Sequence, residues 1–189
     1  MRRRSFLALA AIPSAIVAGA GPALAQQFEP MTLKPIVKAV REGDDEKVRS
    51  ALLKGESPNQ DSNGQPLLMV AVLAGQLSIV EILLKGGAFP DAMDREGNTS
   101  LTRAAEKGDV DVVEILLARN AKVDGQTRQG ATALSIAARR GYAEVVRALL
   151  AKKADPNKAD FTGRTPLAYA RQAGKPTIEA MLRKAGARE

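Results

Sequence analysis

The sequence repeats itself with a period of 33 residues. Glycines stand at positions 64, 97, 130 and 163, and a second set recurs at positions 75, 108, 141 and 174. Leucine pairs keep the same spacing at residues 83–84, 116–117 and 149–150. A fixed period of this length indicates a solenoid, in which each repeat buries its apolar face only against its neighbours.

Each repeat carries an apolar pattern that is typical of helices. Val112, Val113, Leu116 and Leu117 fall on one helical stripe, and the same stripe recurs one repeat earlier and one repeat later. Aromatic residues make up only 3% of the chain, whereas β-sandwich strands favour aromatic side chains. The pattern therefore predicts pairs of close-packed helices, with the second set of glycines ending the first helix of each pair.

A shared motif identifies the type of repeat. The last copy reads Gly163-Arg164-Thr165-Pro166-Leu167, and the loop before it reads Ala154-Asp155-Pro156-Asn157. These segments resemble the ankyrin pattern G-x-T-P-L-H-x-A-A-x-x-G, which a V-x-x-L-L-x-x-G-A-D-V-N segment follows. The resemblance covers about residues 34–187. It implies an all-α solenoid of helix–turn–helix units with short finger turns, about four full repeats after an N-terminal partial repeat.

One residue of the ankyrin pattern is missing throughout. The His of T-P-L-H is replaced by Met69, Thr102, Ser135 and Ala168. In the family, this His ties neighbouring repeats together by hydrogen bonds. We expect Thr102 and Ser135 to keep a hydroxyl version of this tie, and we expect the loss of the other two to lower stability.

The N-terminal segment has the pattern of an export signal. Three arginines, a run of small apolar residues and the A-x-A sequence Ala23-Leu24-Ala25 follow one another, which predicts cleavage before Gln26. Arg3-Arg4-Ser5-Phe6-Leu7 resembles a twin-arginine signal, and the general secretory route also stays open. Either route predicts a periplasmic or secreted protein, with no integral membrane association after cleavage. The mature chain would keep 25 basic and 21 acidic side chains, a net charge of +4.

The period and the signal together predict the domain boundaries. The predicted segments are a cleaved signal peptide at 1–25, a flexible lead at 26–33, an N-terminal capping repeat at 34–60, full repeats at 61–93, 94–126 and 127–159, and a C-terminal repeat and cap at 160–189.

The composition argues against an enzyme. The chain has no Cys and no His, so the commonest nucleophile–base pairs and metal ligands are absent from the sequence. The acidic run Asp44-Asp45-Glu46 allows a cation site, but charge matching at a helix N-terminus is the favoured interpretation. We therefore expect no catalytic, metal or cofactor site.

A partner is expected on the concave face, which ankyrin proteins build from finger turns and first-helix ends. Residues 127–189 carry 13 basic and 5 acidic side chains, whereas residues 61–126 carry 6 and 10. We expect Arg128, Arg139, Arg140 and Arg164 to cluster there beside Phe161, an aromatic–arginine composition typical of interface hot spots. The candidate partner-binding residues are Arg95, Glu96, Arg128, Gln129, Arg139, Arg140, Phe161 and Arg164.

Three functions fit these observations. The leading hypothesis is a monomeric, periplasmic adaptor that binds a protein with an acidic surface and supports another exported protein. The alternatives are a binder of an acidic cell-envelope component and a secreted effector that binds a host protein. The basic net charge is also compatible with nucleic acid, but the predicted compartment and the scarcity of aromatic platforms argue against it.

Overall fold

The computed structural model describes residues 34–188, so the predicted signal peptide and flexible lead lie outside the described residues. The described residues form ten helices and one short hairpin, which confirms the all-α solenoid. In chain order these elements are α1 (Pro35–Glu42), α2 (Asp45–Leu53), β1 (Asp61–Ser62), β2 (Gln65–Pro66), α3 (Leu67–Ala74), α4 (Leu77–Lys85), α5 (Ser100–Lys107), α6 (Val110–Ala118), α7 (Ala133–Arg140), α8 (Ala143–Ala151), α9 (Pro166–Gln172) and α10 (Pro176–Lys184).

The helices form two parallel rows. Each first helix packs against the first helix of the next repeat, giving the row α1, α3, α5, α7 and α9. The second helices pack in the same way along α2, α4, α6, α8 and α10. The two helices of each repeat also contact each other, so every repeat is held by its partner helix and by its neighbours.

The apolar stripes predicted from the sequence form the core. Val112, Val113 and Leu116 are fully buried, and the equivalent residues of α4 and α8 are buried as well. Leu116 contributes to a continuous cluster that runs from Ile36 in α1 to Leu182 in α10. Truncation of a buried leucine in such a core typically costs about 2–5 kcal/mol.

Local sequence signals set the ends of the helices. Gly75, Gly108 and Gly141 follow α3, α5 and α7 with φ of 71°, 78° and 91°, the left-handed conformation that suits glycine. Asp44 and Asp109 cap the N-termini of α2 and α6 by accepting backbone N–H bonds from Lys47 and Val112. The acidic run at residues 44–46 therefore includes a helix cap, the role favoured by the sequence.

The finger turns lie between successive repeats. In the first finger, β1 and β2 pair antiparallel with Ser62 opposite Gln65, and the turn residues Asn63 and Gly64 have positive φ. The next two fingers are reduced to single bridges, Met93 with Thr99 and Gln126 with Thr132. Each finger enters the first helix of its repeat, so finger residues and first-helix residues share one face.

The prediction that the hydroxyls of Thr102 and Ser135 link neighbouring repeats is wrong. The Thr102 hydroxyl donates to the Thr99 carbonyl and accepts from the Thr99 N–H, at 2.9 and 3.0 Å, so both bonds stay inside one repeat. Ser135 makes the same pair of bonds with Thr132. A short hydroxyl side chain at the start of a helix reaches its own N-cap residue, and it is too short to span to the next finger.

Loop Asn and Asp side chains instead tie the repeats. Asp91 accepts from the Lys122 N–H at 2.9 Å, and Asp124 accepts from the Asp155 N–H at 3.0 Å, each one repeat further on. Asn59 and Asn157 accept equivalent bonds from Phe89 and Arg188, at 2.7 and 2.8 Å. Four equivalent bonds therefore link all five units on the side of the loops.

Among residues 34–188, no helix combines the length and the apolar character that a membrane crossing requires.

Candidate functional site

A groove of about 470 Å³ opens on the face formed by the fingers and first helices of the last three repeats. Because neighbouring repeats are equivalent, each groove position recurs 33 residues later with a different side chain. The charged and aromatic side chains that line it are Glu96, Arg103, Glu106, Arg139, Asp160, Arg164 and Tyr169. Predicted site residues Glu96, Gln129, Arg139 and Arg164 all line this groove.

Arg103 of α5 is the centre of an ion-pair cluster at one end of the groove. Its guanidinium donates to Asp94 at 2.8 Å and to Glu96 at 2.6 Å, and it pairs with Glu106 at 3.3 Å. The Arg103 and Asp94 side chains are only 20% and 4% exposed, so this is the most buried ion pair of the groove. Burial alone raises the pKa of Asp94, but hydrogen bonds from Arg103 and Asn98 outweigh it and lower that pKa.

Arg140 of α7 extends this cluster across the repeat boundary. Its guanidinium donates to Glu106 at 2.7 Å, so Glu106 is held by one guanidinium from its own helix and one from the next repeat. The hydrogen bond from Arg140, with that from Arg103, lowers the pKa of Glu106 although burial opposes the change. The charges at this end of the groove are therefore paired within the protein.

Asp160 occupies the other end of the groove, in the position equivalent to Asp94. One oxygen of its buried carboxylate accepts from Thr162 N–H, Thr162 hydroxyl and Arg164 N–H, at 2.8, 2.7 and 3.0 Å. The other oxygen accepts from the Tyr169 hydroxyl. Burial acts to raise the pKa of Asp160, but these bonds, that from Tyr169 foremost, lower it strongly.

Two guanidiniums flank the Tyr169 ring. The Arg139 and Arg164 guanidinium carbons each lie 5.5 Å from the ring centroid, within the range of a cation–π contact. The Arg164 Nε also donates to the Thr162 hydroxyl at 3.1 Å. Both arginine residues are exposed, and within residues 34–188 neither is paired with a carboxylate. This end of the groove therefore keeps unpaired positive charge.

Three predicted site residues lie along the edges of the fingers instead. Arg95, Arg128 and Phe161 occupy equivalent positions and pack on Gly64, Gly97 and Gly130 of the preceding finger. These glycines have φ of 83°, 79° and 81°, and a Cβ on any of them would collide with the side chain above it. Phe161 is 72% exposed. The three residues form a row outside the groove lining.

The expected four-arginine cluster is therefore only partly formed. Arg139 and Arg164 meet at Tyr169, whereas Arg140 is engaged by Glu106 and Arg128 belongs to the finger row. The reason is that Arg139 and Arg140 are adjacent on α7, so their side chains point about 100° apart around the helix axis, which a count of charge per repeat does not resolve.

The sequence-based list missed Arg103, Asp94, Asp160 and Tyr169. A signal was present in the alignment of repeats, because Asp61, Asp94 and Asp160 recur at one finger position where the third repeat has Thr127. A buried acid at this position predicts a donor nearby, and position 103 or 169 supplies it. Within residues 34–188, no group of three or more acidic side chains is arranged to hold a metal ion.

The comparisons with known proteins agree with the fold and the repeat motif. A family model described as ankyrin repeats (3 copies) matches residues 36–127 and residues 120–188. A search of curated proteins returned no significant match. Ankyrin repeats are typically non-enzymatic modules for protein–protein interaction. Because the matched residues cover most of the chain and the fold has the expected paired helices, the chain belongs to the ankyrin-repeat family.

Proposed function

We propose that this chain is an exported adaptor that acts in the periplasm and binds an extended segment of a partner protein in the groove. The observation that carries the proposal is the open end of the groove, where Arg139 and Arg164 flank Tyr169 without a carboxylate partner in the described residues. Arginine and tyrosine are enriched at the energetic centres of protein interfaces.

The mixed charge of the groove favours a protein over an acidic polymer. The groove and its ion pairs contain four carboxylates and four guanidiniums, so they offer no continuous basic track. These groups are Asp94, Glu96, Glu106 and Asp160, and Arg103, Arg139, Arg140 and Arg164. A uniform polyanion would meet Glu96, whose side chain is 73% exposed, at one end of the groove. A protein segment places single charges at chosen positions, which suits a groove with a paired end and an unpaired end.

Export rests on the sequence of residues 1–25. The charged start, the apolar run and the Ala23-Leu24-Ala25 site support passage into the periplasm. The test is fractionation of the native host, followed by N-terminal sequencing of the protein. Release by osmotic shock with Gln26 at the N-terminus would support the proposal, and an uncleaved protein in the cytoplasm would contradict it.

Partner binding is tested by blocking the groove without changing its charge. Ala131 lines the groove, so Ala131→Trp fills it, whereas Ala151→Trp adds the same bulk to an exposed position at the end of α8. Mature protein and both variants would be immobilised and exposed to periplasmic extract, with circular dichroism as the check on folding. A captured protein would be identified, purified and titrated against each variant by calorimetry.

The proposal predicts that Ala131→Trp weakens binding of the captured protein, while Ala151→Trp binds as the native chain does. Equal capture by all three would remove the groove as the binding surface. Capture of no protein would contradict the adaptor function, and retention of acidic polymer that elutes steeply with salt would favour the envelope-binding alternative.

A further inference from the structure

Each end of the groove has two guanidiniums, and only one of these two pairs binds a carboxylate of the described residues. At one end, Arg103 and Arg140 approach a single carboxylate, Glu106, at 3.3 and 2.7 Å. This arrangement shows how the scaffold binds a carboxylate between guanidiniums that come from neighbouring repeats. The ligand in this case belongs to the chain itself.

At the other end the internal carboxylate is missing. The positions equivalent to Glu106 in the next two repeats are Arg139 and Gln172, so neither supplies an acid. Arg139 and Arg164 again come from neighbouring repeats, and both lie 5.5 Å from the Tyr169 centroid. The nearby Asp160 is buried and accepts four hydrogen bonds from Thr162, Arg164 and Tyr169, so its oxygens are already engaged.

We infer that Arg139, Arg164 and Tyr169 form an anchor for acidic side chains, and that the partner is an extended protein segment whose carboxylates bind there. This inference rests on the proposed function and adds the chemistry of the partner. The partner carboxylates take the role that Glu106 takes at the paired end, and the exposed face of the groove gives them access. Arg–carboxylate pairs supply both charge and directional hydrogen bonds.

The geometry accommodates two acids, one at each guanidinium. Both guanidinium carbons are equally distant from the same centroid, so their separation cannot exceed twice 5.5 Å. In an extended chain, side chains two residues apart project to the same side at a spacing of about 7 Å. A segment with acids at alternate positions therefore places one carboxylate near each guanidinium.

The inference is tested with a defined peptide. The probe is acetylated and amidated Gly-Glu-Ser-Glu-Gly, and its control is the same peptide with Gln in place of both Glu. Binding to the mature protein is followed by NMR at low ionic strength, with Nε–H signals of arginine as the local readout. Arg139→Gln/Arg164→Gln removes the anchor, and Arg147→Gln/Arg183→Gln removes the same charge from exposed positions on α8 and α10.

We expect the Glu peptide to bind at least about tenfold more tightly than the Gln peptide, and to shift the signals of Arg139 and Arg164. The anchor variant should lose that preference, and the control variant should keep it within about twofold. Equal loss in both variants, or equal binding of both peptides, would overturn the inference. The inference would also be overturned if dextran sulfate bound more tightly than the Glu peptide and both variants weakened that binding equally. That result would indicate a diffuse polyanion surface.

The result is separable from the test of the proposed function. If the partner depends on an open groove but binds the anchor variant normally, the adaptor function holds and the anchor is wrong. If the peptide depends on Arg139 and Arg164 but no periplasmic protein is captured, the anchor holds and the adaptor function is wrong.

Discussion

The two ends of the groove are built on equivalent positions and differ in how their charges are satisfied. In the repeat of residues 94–126, the acid Asp94 binds Arg103, and Arg103 in turn binds Glu96 and Glu106. In the last repeat, the equivalent acid Asp160 binds the neutral hydroxyl of Tyr169. Tyr169 occupies the position equivalent to Arg103, so the last repeat lacks a guanidinium that would pair with acids. The neighbouring arginines, Arg139 and Arg164, therefore have no carboxylate partner within the described residues.

This difference shows how one scaffold accommodates paired and unpaired charge. A buried acid in the finger needs a donor, and either a guanidinium or a phenol satisfies it. When the donor is a guanidinium, further carboxylates bind to it, and the charges of the cluster are paired with one another. With the phenol, two guanidiniums contact the aromatic ring, and within the described residues their charge is not paired with a carboxylate.

The largest expected effect is the loss of Arg103. Arg103→Met leaves the buried Asp94 and the partly buried Glu106 without their shared cation, so we expect the free energy of unfolding to fall by about 2–4 kcal/mol. The measurement is urea denaturation followed by circular dichroism. Arg139→Met is the matched control at the open end, and we expect it to cost less than about 0.5 kcal/mol. Equal costs for the two variants would remove the distinction between a paired and an open end.

A fall in pH should destabilise both ends of the groove, because the pKa values of Asp94 and Asp160 are both lowered in the folded protein. A lowered pKa contributes stability that is fully present above the unfolded value, 3.8, and is lost as the pH falls through the folded value. We expect the Tm contribution of Asp160 to be constant at neutral pH and to decline below about pH 4. Calorimetry of Asp160→Asn should show a shallower acid decline than the native chain. An unchanged slope would show that Asp160 does not contribute to acid sensitivity.

A smaller effect is expected from the hydroxyl of Tyr169. Tyr169→Phe removes one of the four hydrogen bonds to Asp160 and keeps the ring, so unfolding should become easier by about 1 kcal/mol. The variant should still bind the acidic peptide, because the ring and both arginines remain. Tyr142→Phe, at an exposed tyrosine in the N-cap position of α8, is the control and should be close to neutral. Loss of peptide binding in Tyr169→Phe would mean that the hydroxyl, rather than the ring, organises the open end.

The smallest effect is expected from Arg140. Its pair with Glu106 is partly exposed, with side chains 48% and 35% accessible, so Arg140→Gln should cost no more than about 0.5 kcal/mol. The pKa of Glu106 should nevertheless rise towards its ordinary value, because Arg140 is the largest cause of its lowering. Carbon-detected NMR titration of the Glu106 carboxyl measures this directly. A Glu106 pKa that does not move would contradict the assigned pair.

The fold was predictable because the 33-residue period records the repeat unit directly. The glycines that end first helices and the apolar stripes of second helices each follow from a backbone or packing requirement. The tie between repeats was not predictable from the T-P-L-H position, because Asp91 and Asp124 supply it from the loops. Their role depends on the distance between successive loops, which the sequence does not state.

The site was predictable in part. Arg139 and Arg164 were predicted on the concave face, since finger and first-helix positions repeat regularly, and both line the groove. Arg140 and Arg128 carry the same charge, yet one is paired by Glu106 and the other packs on Gly97. Pairing depends on contacts between residues that lie 34 positions apart, as Arg140 and Glu106 do, so charge counts alone could not separate the open arginines from the engaged ones.

The most direct test of the central claim is an NMR measurement of guanidinium rotation for Arg103, Arg139 and Arg164 in the folded protein. The account predicts slow rotation and solvent protection for Arg103, which binds three carboxylates, and faster rotation for Arg139 and Arg164. Addition of the Glu peptide should slow Arg139 and Arg164 while leaving Arg103 unchanged. Equally hindered rotation of all three in the free protein, or slowing of Arg103 alone, would contradict the account of a paired end and an open end.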